Sequence, residues 1–167
     1  MVPILIRAAT LEDLPGILAI YNDAVANTTS IWNENEADLE NRRAWFLERT
    51  GAGFPVLVAA DAAEVVGYAT FGPFRPHDGY RHTVENSIYV RKDQRGRGIG
   101  ALMMPPLIEA ARNGGKHVII AGIEAGNEPS LKLHAHFGFR QVAHMPQVGR
   151  KFDRWLDLVL MQRLLEE

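Results

Sequence analysis

Between residues 93 and 111 the chain reads DQRGRGIGALMMPPLIEAA. Gly96, Gly98 and Gly100 stand at alternate positions, Arg95 and Arg97 are interleaved with them, and an apolar helical stretch follows at once. A turn that served only to reverse the chain would need neither the repeated loss of side chains nor the added positive charge. Glycine lets backbone N–H groups approach a ligand closely. The start of a helix offers unpaired N–H groups at the positive end of its dipole. The pattern is that of an anion site, and two ligand classes suit it: nucleotides and coenzyme A.

A Walker loop ends in Gly-Lys-Ser/Thr, an ending that Gly98-Ile99-Gly100-Ala101-Leu102 lacks. The dinucleotide fingerprint is nearer, because Gly96, Gly98 and Ala101 satisfy G-x-G-x-x-[GA] and Glu124 falls at the end of the next strand. That fingerprint opens a βαβ unit, however, whereas here several strands precede it and too little chain follows for a doubly wound domain. A nicotinamide reading is therefore set aside.

The elements that must position this turn can be read from periodicity. PILIRAA (3–9) is a strand, and TLEDLPGILAIYNDAVAN (10–27) carries Leu14, Ile17, Leu18, Tyr21 and Val25 at helical spacing. The helix start is either a Thr10/Asp13 capping box or Asp13 itself as the cap. After the polar TTSIWNENEA, Asp38 caps a second helix that runs through Thr50 and stops at Gly51. FPVLVAAD (54–61) and EVVGYATFG (64–72) are antiparallel neighbours across a short turn, and GPFRPHDGYRH is a loop. TVENSIYV (83–90) is a strand running straight into the glycine turn. A helix from Gly98 to Asn113, a buried strand in GGKHVIIAGIEA, a short helix from Pro129 to Phe137, and the strands FRQVAHM and RWLDLVLMQRL complete the chain. The order βααβββαβαββ predicts an α/β (α+β) mixed sheet with helices on both faces and one late parallel crossover.

Length and charge bound the function. At 167 residues without repeats or linkers, residues 1–167 make a single domain. A net charge of −2 gives no general pull toward nucleic acid or anionic lipid, so neither is expected as a partner. The longest apolar runs, around Val56–Ala60 and His117–Ile123, are too short to span a bilayer. MVPILIRAATLED has neither the basic region nor the cleavage site of a secretory leader. The absence of cysteine removes disulfides, thiolate metal sites and a cysteine nucleophile, and no metal is expected. The starting expectation is a cytoplasmic enzyme or binding protein.

Arg95-Gly96-Arg97-Gly98-Ile99-Gly100 resembles the [QR]-x-x-G-x-[GA] motif of the GCN5-related N-acetyltransferases (GNAT), with Arg95, Gly98 and Gly100 at the matching positions. The element order is also similar to theirs over nearly the whole chain. Within that superfamily AIYNDAVANTTSIWNE, TVENSIYV and MPQVGRKFDRWLDLVLMQ are similar to the phosphinothricin and methionine sulfoximine acetyltransferase group. The resemblance implies a GNAT fold, with a mostly antiparallel sheet whose one parallel pair, Ser87–Val90 and Val118–Ile123, splays to hold acetyl-CoA. It implies a pantetheine arm paired with the backbone of Ile88 and Val90 around Tyr89. It also implies a pyrophosphate on the amides of Gly96, Arg97, Gly98, Ile99, Gly100 and Ala101 beside Arg95, and further cofactor contacts from Asn127 and Ser130.

Making an amide from a thioester requires an unprotonated amine, and a free α-amine has a pKa of about 8. Glu85, a carboxylate in an otherwise apolar strand, is the candidate base, acting directly or through water. The competing assignment pairs it with Arg81. His134, in SLKLHAHFGF, falls where many family members carry the tyrosine that protonates the departing thiolate, while His136 is expected at the surface. Asn127 is either a helix cap or a pantetheine ligand. Arg75, with Pro76 and His77 in the loop before the Glu85 strand, suits the carboxylate of an amino acid, arginine being shaped for bidentate binding. Asn86 and Ser87 complete the acceptor side. Trp32 and Phe74 are expected to form its apolar wall, and Phe152 and Trp155 are assigned to the core or to a subunit interface.

The resulting expectation is direct transfer from acetyl-CoA to the α-amine of methionine sulfoximine, methionine sulfone or phosphinothricin, which would give resistance to such analogues. Acetylation of a peptide N-terminus or polyamine, and a non-catalytic acyl-CoA sensor, are the alternatives. The family usually pairs subunits, so a homodimer is implied, with MPQVGRKFDRW as its contact.

Overall fold

Strand β3 (Glu64–Pro73) is buried at eight successive positions. Such a strand has to be covered on both faces, unlike an antiparallel strand with one wet side. The computed structural model, which describes residues 3–166, supplies that cover; Met1, Val2 and Glu167 of the expected domain lie outside the described residues. β3 lies within a seven-stranded sheet with β1 (Leu5–Ala8), β2 (Val56–Asp61), β4 (Thr83–Val90), β5 (Val118–Glu124), β6 (Arg140–Lys151) and β7 (Arg154–Leu164) in the order β1-β2-β3-β4-β5-β7-β6. All neighbours are antiparallel except β4 and β5. The order of elements, the mixed sheet and the single parallel pair are those the sequence predicts.

Helices α1 (Leu14–Asn27) and α2 (Leu39–Gly51) cover one face, where Leu14, Ile17, Ile20 and Phe46 pack on Val56, Val58 and Tyr68. Helix α3 (Ile99–Asn113) lies on the other face, with α4 (Glu128–His136) beside it. Helix α3 continues through Pro105 and Pro106, each of which costs a helix interior about 3 kcal/mol. Its buried Ile99, Met103, Met104, Leu107 and Ile108 outweigh that penalty, at roughly 1.5–3 kcal/mol per side chain. Among the described residues no helix is long and apolar enough to cross a membrane.

At the first helix start, the Asp13 carboxylate accepts from the Thr10 backbone N–H at 2.7 Å and from both terminal nitrogens of Arg7 at 2.7 and 2.9 Å. The Arg7 hydrogen bonds hold the Asp13 carboxyl below the usual range. Asp13→Ala is expected to lower stability by about 1–2 kcal/mol at pH 7, since Arg7 stays partly solvated. A lowered folded-state pKa gives stability above the unfolded value, about 3.9, that is lost as the pH falls below it. Urea unfolding should therefore show the two proteins drawing together in acid.

The largest departure from the sequence reading is β6, expected to end at Met145 but running to Lys151. Pro146 and Gly149 look like strand breakers, yet β6 is the outermost strand and bulges between Met145 and Gly149, where proline needs no ladder partner. The strand turns into β7 through Phe152 and Asp153, both at positive φ, as a tight two-residue hairpin requires. Phe152 and Trp155 are more than half exposed, which removes them from the core of this chain.

Candidate active site

Strands β4 and β5 pair over only three positions, Thr83↔Val118, Val84↔Ile119 and Glu85↔Ile120, and then diverge. A cleft opens between them, about 150 Å³ at its centre, lined by Glu85 to Tyr89 on one side and Ala121 to Glu124 on the other. Residues along β4 alternate between the faces. Tyr89 packs toward α1 and α2, while Ile88 and Val90 pack toward α3. Asn86 accordingly lies on the opposite side of the sheet from Glu85 and Ser87.

β4 leads into the glycine turn through Arg95, whose Nε donates to the Val90 carbonyl at 3.3 Å. Gly96 and Gly98 both have positive φ, 83° and 75°, and Gly98 is the residue that caps α3. A side chain is disfavoured at either position, and the first amides of α3 are thereby presented to the cleft. Gly100 has another reason to be bare: a Cβ there would lie 3.1 Å from Leu133 of α4. A cavity of about 540 Å³ runs from Ile88 and Val90 across Gly96, Gly98 and Gly100 to Asn127 and Ser130. It combines an apolar wall for a narrow arm with an amide-rich mouth for phosphate, so the residues present fit acetyl-CoA.

On α4, the Asn127 side-chain oxygen accepts from the Ser130 N–H at 3.3 Å, so Asn127 is a cap. It also lines the cleft, with its amide nitrogen left over for a ligand. His134 is 4% exposed. Its Nδ1 lies 2.8 Å from the Ser130 carbonyl, an acceptor only, so Nδ1 carries the proton. Nε2 is left as an acceptor for the Asn86 amide nitrogen at 3.1 Å. Burial pushes the imidazole below its usual pKa and keeps it neutral.

A second cavity, about 300 Å³, joins the first at Glu85, Gly122, Glu124 and Ser30. Trp32, Phe74 and Arg75 line it, with Met145, Leu158 and Leu160 from the β6–β7 hairpin. Glu85 stands at the junction. Desolvation pushes its carboxyl above the usual range, against the pull of the Arg75 and Arg49 charges. Arg81, its alternative partner, donates instead to the Asp78 carbonyl.

The structure thus brings Glu85, Arg75, Trp32 and Phe74 together around the second cavity, whereas Asn86 and Ser87, expected on the acceptor side, line the central cleft instead. Ile88, Val90, Arg95, Gly96, Gly98, Ile99, Gly100, Ala101, Asn127 and Ser130 all line the long cavity, and Tyr89 lines the central cleft. Arg97 turns away, pairing with Asp61 at 3.1 Å. Pro76 and His77 lie in the exposed loop outside the lining, with His77 against the Tyr80 ring. His136 is exposed. Sequence reasoning passed over Ser30, Gly122 and Met145, and weighed Glu124 only as a dinucleotide ligand. The only signals for them in the sequence are the polar stretch around Ser30 between the first two helices and the carboxylate of Glu124 at the end of an apolar strand.

The acetyltransferase (GNAT) family profile matches residues 17–139. The L-methionine sulfoximine/L-methionine sulfone acetyltransferase of Pseudomonas paraeruginosa is 59% identical over 162 residues, 96% of this chain and 94% of that protein. The L-amino acid N-acyltransferase of Escherichia coli is 52% identical, covering 97% of this chain and 94% of its own length. A solved phosphinothricin acetyltransferase from Sinorhizobium meliloti, in complex with acetyl-CoA, superposes with a TM-score of 0.95 at 35% identity, over 98% of this chain and 89% of that one.

Proposed function

The chain belongs to the GNAT acetyltransferase family, and from that premise we propose that it moves the acetyl group of acetyl-CoA directly to the α-amine of a small amino acid such as L-methionine sulfoximine, L-methionine sulfone or phosphinothricin. The observation that carries this reading is the position of Glu85 at the junction of the cofactor cleft and a second cavity that also holds Arg75. That cavity, about 300 Å³, is at the lower end of small-molecule sites and suits a single amino acid.

When bound, acetyl-CoA supplies an activated thioester; the chain supplies position and proton transfer. Arg75 takes the amino-acid carboxylate, Trp32 and Phe74 border its side chain, and Glu85 accepts the ammonium proton so that the amine can attack. A carboxylate with a raised pKa is the stronger base, which suits this step. His134 lines the central cleft beside Asn86 and, as a neutral acceptor, holds that amide in place. To protonate a departing thiolate it would first have to gain a proton at Nε2 and turn Asn86 round. His134 is therefore a positioning residue in this mechanism.

A cytoplasmic setting, resistance to amino-acid analogues and a homodimer belong to the same reading. They are supported by the lack of cysteine, by the acetylation chemistry itself, and by exposed Val148, Phe152 and Trp155 on the hairpin. The test is thiol release from acetyl-CoA across a panel of amines. L-Methionine sulfone and phosphinothricin should be turned over, and polyamines and peptide N-termini should not; the reverse selectivity would overturn the assignment. Transfer should leave no acetyl group on the protein, since there is no cysteine and no recognisable nucleophile elbow. Intact mass after mixing with acetyl-CoA alone checks this, and an adduct chased by amine would refute direct transfer.

The raised Glu85 carboxyl has a stability consequence. The fold binds this proton more tightly than the unfolded chain does, so ionised Glu85 opposes folding. The opposition is absent below the unfolded value, about 4.3, and grows as the pH rises through the folded one. Glu85→Gln should melt above the wild type at pH 7, the gap closing in acid, as scanning calorimetry can measure.

A further inference from the structure

Lys151, the last residue of β6, is 1% exposed. Its ammonium donates to three backbone carbonyls from the other end of the chain, those of Val25 at 2.6 Å, Thr28 at 2.8 Å and Ile31 at 2.6 Å. A buried ammonium is costly to desolvate, and an apolar side chain of the same length would fill the space without that penalty. What the charge adds is direction. The last carbonyls of α1 have no partners within the helix, and a cation there also suits the negative end of its dipole. Lys151 gathers those carbonyls and, through Ile31, reaches the loop that leaves α1.

That loop carries Ser30 and Trp32, both of which line the acceptor cavity. Trp32 is fixed at one edge by its indole N–H, which donates to the Thr29 carbonyl at 2.9 Å. Its ring packs directly on Gly149, where a Cβ would overlap the ring carbons. Gly149 and Lys151 are two residues apart on β6 and address the same loop. Neither lines the acceptor cavity or the cofactor cleft.

We propose that Lys151 and Gly149 form a clasp that positions Ser30 and Trp32 as the outer wall of the acceptor site, making the far end of β6 a determinant of amino-acid affinity. The inference rests on the reading of that cavity as the amino-acid site. Because the clasp holds a wall and touches no reacting atom, its loss should weaken acceptor binding and leave chemistry and cofactor binding in place.

Lys151→Met and Gly149→Ala test it. For each, the KM for L-methionine sulfone is expected to rise about tenfold or more, with kcat within about threefold of wild type. Acetyl-CoA affinity by calorimetry should be unchanged. Amide hydrogen exchange in Lys151→Met should quicken within residues 28–33 and not across the sheet. Gly149 lies on an edge-strand bulge, so Gly149→Ala carries the test if Lys151→Met does not fold. An unchanged KM in folded Gly149→Ala, or a fall in kcat without a change in KM, overturns the clasp. If the wild type acetylates no amino acid, the reading of the site fails separately. The exchange contrast then decides the clasp by itself: faster exchange confined to 28–33 upholds it, and uniform or unchanged exchange ends it.

Discussion

Replacing Glu85 by glutamine is expected to lower kcat/KM for the amino acid by about 10²-fold or more while acetyl-CoA affinity stays the same. The amide preserves the size of the side chain and its place at the junction of the two cavities, but it cannot take up a proton. The glycine turn that would receive the pyrophosphate lies on the far side of the cleft, lined by other residues. The loss should shrink at high pH, where more of the amine is already free. A loss that stays constant with pH while KM rises would make Glu85 a partner of the ammonium and not the base. Unchanged activity would make it a structural carboxylate. The higher melting temperature expected of Glu85→Gln would separate a catalytic loss from misfolding.

Gly98→Val should weaken acetyl-CoA binding by at least roughly tenfold, or about 1.4 kcal/mol, measured by calorimetry. Gly98 caps α3 at a φ of 75°, a conformation that a β-branched residue strongly resists. Apart from its chain neighbours, no atom of the described residues lies within 4 Å of a Cβ built there, so a side chain would start out into open space. It would stand over the helix mouth where phosphate must sit. Wild-type affinity in a folded Gly98→Val protein would remove the phosphate-site assignment.

The element order was legible because alternation and helical spacing are local properties. The glycine turn was legible because positive φ and a bare helix start leave their mark within a few residues. What could not be read depends on partners distant in the chain. Gly100 resembles its neighbours in sequence, yet Leu133 on α4 explains it as packing. His134 shows no local sign that its Nε2 partner is Asn86, the contact that occupies the nitrogen an acid would need once the Ser130 carbonyl has fixed the tautomer. Pro146 and Gly149 look like strand breakers in the sequence because edge position, which excuses both, is a property of the finished sheet. Lys151 sits in the charged run RKFDR, where a solvated lysine is the natural inference. Its burial is decided by carbonyls more than a hundred positions away.

The brief pairing of β4 with β5 has one more consequence. The sheet is nearly two sheets, β1 to β4 on one side and β5, β7 and β6 on the other, buttoned together at three residue pairs. A molecule that lies along both margins of that seam adds its binding energy to the cohesion of the whole protein. The gain is about 2.7 kcal/mol when its free concentration is a hundred times its dissociation constant. Resistance to unfolding is therefore expected to rise with the concentration of acetyl-CoA, which melting curves at increasing acetyl-CoA would measure.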